Sequence, residues 1–131
     1  MLYLVVLILG FIPFSHTLTC FENDDKGNIK EVQSKEWRYC GLIPESGHTK
    51  GRLFGVGDGE ETLTGFDIIF QQSNALYKVL TVCVYEKYDL GSVSPHLGGA
   101  EFLFRCMCNY DRCNSHRTFA AYLNNMKRDN A

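Results

Sequence analysis

The chain has 131 residues, 45% of them apolar and 21% charged, proportions that describe one folded domain and exclude a disordered tract, a fibrous repeat or two domains with separate cores. A formal net charge of −2 provides none of the clustered Lys and Arg that attract nucleic acid or anionic lipid, so neither is expected as a partner.

From Met1 to Phe14 the chain is apolar apart from Tyr3, carries no Lys or Arg, and then meets Ser15-His16-Thr17. This is short of a membrane span and has the anatomy of a secretory signal peptide over residues 1–17. Ser15 and Thr17 supply the small residues a signal peptidase needs, which predicts a mature start at Leu18-Thr19-Cys20 and a secreted, extracellular product without stable membrane insertion. The alternative is an uncleaved anchor, which would leave a membrane-tethered ectodomain. All six cysteines, Cys20, Cys40, Cys83, Cys106, Cys108 and Cys113, follow the expected cut. An even set in an oxidising compartment predicts structural disulfides, whose connectivity the count alone does not choose.

After Cys20, the polar run Glu22 to Asn28 is turn-forming, and Ile29–Val32 and Lys35–Tyr39 are expected to pair beyond it as a first hairpin. Gly41 to Gly51, with Pro44, Ser46 and Gly47, reads as connecting loop, Arg52–Val56 as a strand, and Gly57-Asp58-Gly59 as a turn. Thr62–Gln72 and Ala75–Tyr88 are both rich in β-branched and aromatic residues around Gln72-Ser73-Asn74, which predicts a second hairpin. In its second arm Val82, Val84 and Glu86 share one face while Cys83, Tyr85 and Lys87 share the other. Asp89 to Gly99 holds Gly91, Pro95, Gly98 and Gly99 and is expected to be a long exposed loop, followed by a strand over Glu101–Cys108. Beyond Asn114, Phe119, Tyr122, Leu123 and Met126 recur at helical spacing, so a short amphipathic C-terminal helix with Asn114 or Ser115 as its N-cap is predicted within 115–131.

The most informative stretch is Cys106-Met107-Cys108-Asn109-Tyr110-Asp111-Arg112-Cys113-Asn114. Cys108 and Cys113 are close enough to close a tight loop, which leaves Cys106 for another strand, with Cys83 across the long loop as the expected partner and Cys20 then taking Cys40. The Asn114 amide can both donate and accept hydrogen bonds where strands converge. Cys108, Asp111, Cys113 and Asn114 resemble the closing motif of the Ly-6/uPAR three-finger superfamily, and Leu18-Thr19-Cys20 is similar to its opening strand. Cysteine-poor secreted invertebrate versions with Cys-x-Cys, including the nematode ET-module type, are similar as well. The resemblance implies a mainly β fold, a small disulfide-rich three-finger-like antiparallel sheet over residues 18–114, with Cys83 to Cys106 bracketing the third finger. It also departs from the family: no second cysteine follows soon after Cys20, there are fewer cysteines than usual, and the Cys40 to Cys83 interval is long.

Sharper chemistries find less support. Cys106, Cys108, Cys113 and His116 could ligate zinc, but exported thiols oxidise first and Cys-x-Cys spans a tetrahedral site poorly. No Cys-x-x-Cys redox couple is present. Asp24, Asp25 and Asn28, or Asp58, Glu60 and Glu61, lack calcium-loop spacing, and the glycines at 55, 57 and 59 lack a following Lys-Ser or Lys-Thr for a phosphate loop. The histidines of the mature chain, His48, His96 and His116, stand beside no nucleophile motif, although a secreted hydrolase or metal-dependent enzyme using His96 or His116 is the competing functional class. There is no Asn-x-Ser/Thr and no apolar tail for a lipid anchor. The expectation is a monomeric, non-catalytic module without cofactor or metal. It would offer loop tips, chiefly Asp89, Val93, His96 and Leu97 and the Asp24 and Asp58 turns, to an extracellular or cell-surface protein.

Overall fold

In the computed structural model, which describes residues 16–57 and 63–131, strand β1 (Leu18–Asn23) pairs antiparallel with β2 (Ile29–Ser34) in a two-stranded sheet. Most of the predicted signal peptide lies outside the described residues, as do Asp58, Glu60 and Glu61. Asp24 organises the turn between the two strands. Its carboxylate accepts the backbone N–H groups of Lys26 and Asn28 and the Asn28 side-chain amide, each at 2.9 Å, while Gly27 takes φ 86°. The Asn28 amide, ahead of the backbone donors, holds the Asp24 carboxyl below its ordinary range.

The expected pairing of Ile29–Val32 with Lys35–Tyr39 is not the one formed. Strand β3 (Trp37–Ile43) buries Tyr39 on one face and Cys40 and Leu42 on the other, and a strand buried on both faces belongs in the middle of a sheet. It sits between β4 (Arg52–Gly57) and β6 (Ala100–Cys108), with β5 (Val82–Asp89) beyond, in an antiparallel sheet of order β4-β3-β6-β5. Gly41 to Ile43, expected as loop, are thus the end of β3. Gly41 stands opposite Phe54, whose ring would lie 2.5 Å from a Cβ there, so only glycine lets the ring cover the strand.

The predicted second hairpin is overturned too. Leu63–Phe70 is helix α1, not a strand. Leu63, Phe66 and Phe70 are the residues it buries, a stripe at helical spacing whose burial against the sheet outweighs the β preference of Ile68 and Ile69. They pack with Tyr39, Val56 and Met107, and Val82 and Val84 complete that layer. The opposite sheet face packs Cys40, Leu42, Leu53, Cys106 and Cys108 against Leu18 and Cys20 of β1 and against Tyr122 and Met126 of the C-terminal helix. Burying a side chain such as Leu42, fully inaccessible here, contributes roughly 1.5–3 kcal/mol.

Between β5 and β6 the expected featureless loop contains two short turns: helix α2 (Leu90–Val93), closed by Ser94 N–H donating to the Leu90 carbonyl at 3.1 Å, and a 3-10 turn (Pro95–Leu97) that Pro95 initiates. The last element, α3 (Phe119–Asp129), has Thr118 at its N-cap position rather than Asn114 or Ser115, and the Asn114 amide is engaged elsewhere. The fold is mainly β and disulfide-rich, with two antiparallel sheets and short helices.

Candidate functional site: a braced base and an exposed ribbon

Disulfides join Cys20 to Cys40, Cys83 to Cys106 and Cys108 to Cys113. The first ties β1 to β3, and the second crosses directly opposed residues of β5 and β6. The third closes a loop that delivers side chains to the free edge of β1. There Asp111 Oδ1 accepts the Thr19 N–H at 2.8 Å, and the Arg112 N–H donates to the Thr19 carbonyl at 2.7 Å. Two residues along, Asn114 Oδ1 accepts the Phe21 N–H while its Nδ2 donates back to the Phe21 carbonyl, both at 2.9 Å. The same Nδ2 reaches the Gly41 carbonyl at 2.9 Å and the Phe54 carbonyl at 3.4 Å. A fully buried amide thus stands in for a peptide unit, binding β1, β3 and β4 where no further strand fits. Asn23 continues this edge: its Oδ1 accepts the Leu53 N–H at 2.6 Å and its Nδ2 donates to the Gly51 carbonyl at 3.2 Å. The sequence reading places Asn23 in the polar turn run and misses this role, since nothing in the local pattern marks it as bridging to β4.

Away from this base, β3 pairs with β6 only over Cys106–Cys108, whereas β5 pairs with β6 from Val82 to Asp89. The remainder of β5–β6 therefore runs on as a two-stranded ribbon. One face of it carries Val82, Val84, Glu86 and Arg105. Arg105 pairs with Glu86, Nη2 donating at 2.9 Å and Nε lying 2.7 Å from the other carboxylate oxygen, and its guanidinium lies 5.8 Å over the Phe66 ring. The other face carries Tyr85 and Phe102, stacked at 5.9 Å and respectively 72% and 59% exposed, and Phe104, which meets Phe119 edge-on at 5.4 Å. A groove of about 490 Å³ runs between these rings and the Ile43–Thr49 loop.

At the far end, Asp89 closes β5, Val93 ends α2, and His96 and Leu97 lie on the 3-10 turn, with Val93 83% and Leu97 57% exposed. His48 and His116 are exposed and lie on other loops. Cys106, Cys108 and Cys113 are spent in disulfides, and no group of three or more His, Cys, Asp or Glu side chains converges to hold a metal among the described residues. No helix among them is long and apolar enough to cross a membrane.

A second polar cluster fixes α1. Asp67 accepts the Tyr39 hydroxyl and pairs with Arg38 Nη2 at 2.6 Å. Burial, followed by the Asp67 hydrogen bond, pushes the Tyr39 phenol up; the Tyr39 hydrogen bond holds the Asp67 carboxyl down. On the opposite sheet face, Tyr122 and Thr81 share a 2.7 Å hydroxyl contact, and burial pushes the Tyr122 phenol up to about 12.

The fold and these features define a small, mainly β, disulfide-braced domain with a projecting ribbon. The chain belongs to a family of unknown function (DUF5354), whose model matches residues 14–127. No curated protein and no solved structure matches it.

Proposed function

We propose that this protein is a secreted, non-catalytic binding module that presents the tip of its β5–β6 ribbon to an extracellular or cell-surface protein, and that it acts as a monomer related to the Ly-6/uPAR-like three-finger type. The observation that carries the reading is the contrast between the two ends of the molecule. Disulfides and the Asn114 amide brace the base, while Val93 and Leu97 stand 83% and 57% exposed at the end of the ribbon. Apolar side chains held out on a rigid support favour association, because less ordering entropy opposes it. Asp111 and Asn114 on the edge of β1 support the three-finger relationship, since the resembling motif supplies those two residues. Secretion is supported by the apolar leader and by the oxidised cysteines.

The experiment is affinity capture from extracellular fluid with oxidised wild-type protein and a Val93→Asp/Leu97→Asp variant. A partner retained by wild type and lost by the variant supports the reading. Equal capture by both removes the tip from it. Mass measurement of material released by expressing cells tests secretion, which predicts a chain beginning at Leu18.

A further inference from the structure

We infer that the groove beside the ribbon is a receiving site for an arginine side chain of the protein partner. The inference deepens the binding-module reading and rests on it. The groove is walled by Tyr85, Phe102, Phe104 and Phe119 on one side and by Pro44 and Glu45 on the other. Glu45 is its one acidic residue, His48, Ser46 and Thr49 also line it, and no Lys or Arg does. The Glu45 carboxylate has no ion-pair partner among the described residues, although its backbone N–H is held by the Arg117 carbonyl at 2.8 Å. Arg117 does not fill the place: its Nη1 lies 3.4 Å from where a Cβ on Gly27 would stand, at the β1–β2 turn. Lys87 is on the same ribbon face, opposite Phe102 and toward the tip, and does not line the groove.

The chemistry that fits is shown by the same ribbon on its reverse face. There the chain uses its own Arg105, with the guanidinium ion-paired and hydrogen-bonded to Glu86 and set 5.8 Å over Phe66. The groove offers aromatic rings and the acidic Glu45 without an arginine of its own. A guanidinium suits it better than an ammonium, because it is planar, stacks on rings, is more weakly hydrated and can fork to a carboxylate. The opening between ribbon and loop makes this a site for a side chain carried on a partner's surface.

The test is a titration of isotope-labelled, oxidised protein with Nα-acetyl-arginine methylamide and with its neutral citrulline counterpart, followed by backbone and aromatic NMR shifts. The expected result is saturable shifts confined to Glu45, Tyr85, Phe102, Phe104 and Phe119. Binding should be about three- to tenfold weaker for citrulline. Glu45→Gln and Phe102→Ala, both at exposed positions, should each weaken arginine binding by a similar factor while leaving the remaining spectrum in place. Equal shifts from both probes, shifts scattered over the surface, or a Glu45→Gln titration identical to wild type would overturn the inference. The Val93→Asp/Leu97→Asp variant separates the two proposals. Arginine shifts that persist in it alongside undiminished partner capture discard the tip and keep the groove, whereas tip-dependent capture without arginine shifts does the reverse.

Discussion

Replacing Asn114 tests the central structural argument, because truncation and an isosteric change of charge perturb it in different ways. Asn114→Ala removes one acceptor from the Phe21 N–H and one donor from the carbonyls of Phe21, Gly41 and Phe54. A buried polar group left unpaired costs about 1–3 kcal/mol. Two or three such groups give a loss of about 3–5 kcal/mol, a large part of the roughly 5–15 kcal/mol typical of a domain. Asn114→Asp keeps the acceptor but turns an oxygen toward carbonyls at 2.9 Å. Burial and repulsion raise the folded-state pKa of that carboxyl above its unfolded value of about 3.9. A raised pKa means that the native state binds the extra proton. The penalty is therefore absent below about pH 4, grows as pH rises through the raised pKa, and is complete above it. Urea unfolding of the oxidised proteins, read by Trp37 fluorescence, should rank wild type above Asn114→Ala above Asn114→Asp at pH 7. The Asp variant should regain stability relative to the Ala variant as pH falls to about 4. An Ala variant within about 1 kcal/mol of wild type, or an Asp-to-Ala difference that does not move with pH, would refute the bridging role.

Gly41→Ala and Gly55→Ala place a Cβ 2.5 Å from the Phe54 ring and 2.2 Å from the Trp37 ring; each should cost about 1–3 kcal/mol by thermal unfolding, whereas Gly65→Ala, where nothing lies within 4 Å, should cost none of that overpacking. Glu86→Ala, which strips the partner from Arg105 on the ribbon, should destabilise more than the double replacement Glu86→Leu/Arg105→Met in denaturant midpoints, because a lone charge over Phe66 is worse than an apolar pair. Asp67→Asn should flatten the acid limb of the stability profile: the Asp67 carboxyl is held down in the folded state, so its contribution is present above about pH 4 and is lost as pH falls through the depressed value. In an absorbance titration, Tyr122, pushed up to about 12, and Tyr39, also pushed up, should ionise late, and Tyr122→Phe should remove one of these late transitions.

How much of this was legible in the residues depended on whether the determining contacts were local. The strands β4 and β6 and the helix α3 announce themselves through period and flanking turns. The α1 segment does not: Leu63-Thr-Gly-Phe-Asp-Ile-Ile-Phe fits a half-buried strand by composition, and the distant Tyr39, Val56 and Met107 decide the matter by giving Leu63, Phe66 and Phe70 a common surface. The partner of β2 is its neighbour β1 across the Asp24 turn, but the choice of that turn over the Lys35-Glu36 bend is non-local, because burial of β3 on both faces settles it. At the site, the strand period places Tyr85 on one face with Cys83 and Lys87 but does not single out Phe102 and Phe104, because their place beside Tyr85 depends on the β5–β6 register. The opposition of Glu45 to them depends on where the Ile43–Thr49 loop folds, which no spacing specifies.

The placement of the polar constraints bears on function as well as on stability. Every hydrogen bond that Asp111 and Asn114 make goes to β1, β3 or β4, and none goes to β5 or to the projecting part of β6. The ribbon is joined to the base through the short Cys106–Cys108 pairing with β3, and the Cys83–Cys106 bond locks its root. Substitutions at the tip should therefore leave the buried network intact, since residues without shared partners perturb stability independently. A surface that can vary without unsettling its support is suited to changing its partner, whereas a catalytic constellation must be held by the same packed shell that makes it difficult to alter. In this chain Val93 and Leu97 stand exposed at the end of the ribbon while the buried Asn114 amide lies in the braced part, so the tip can change without unsettling the amide network.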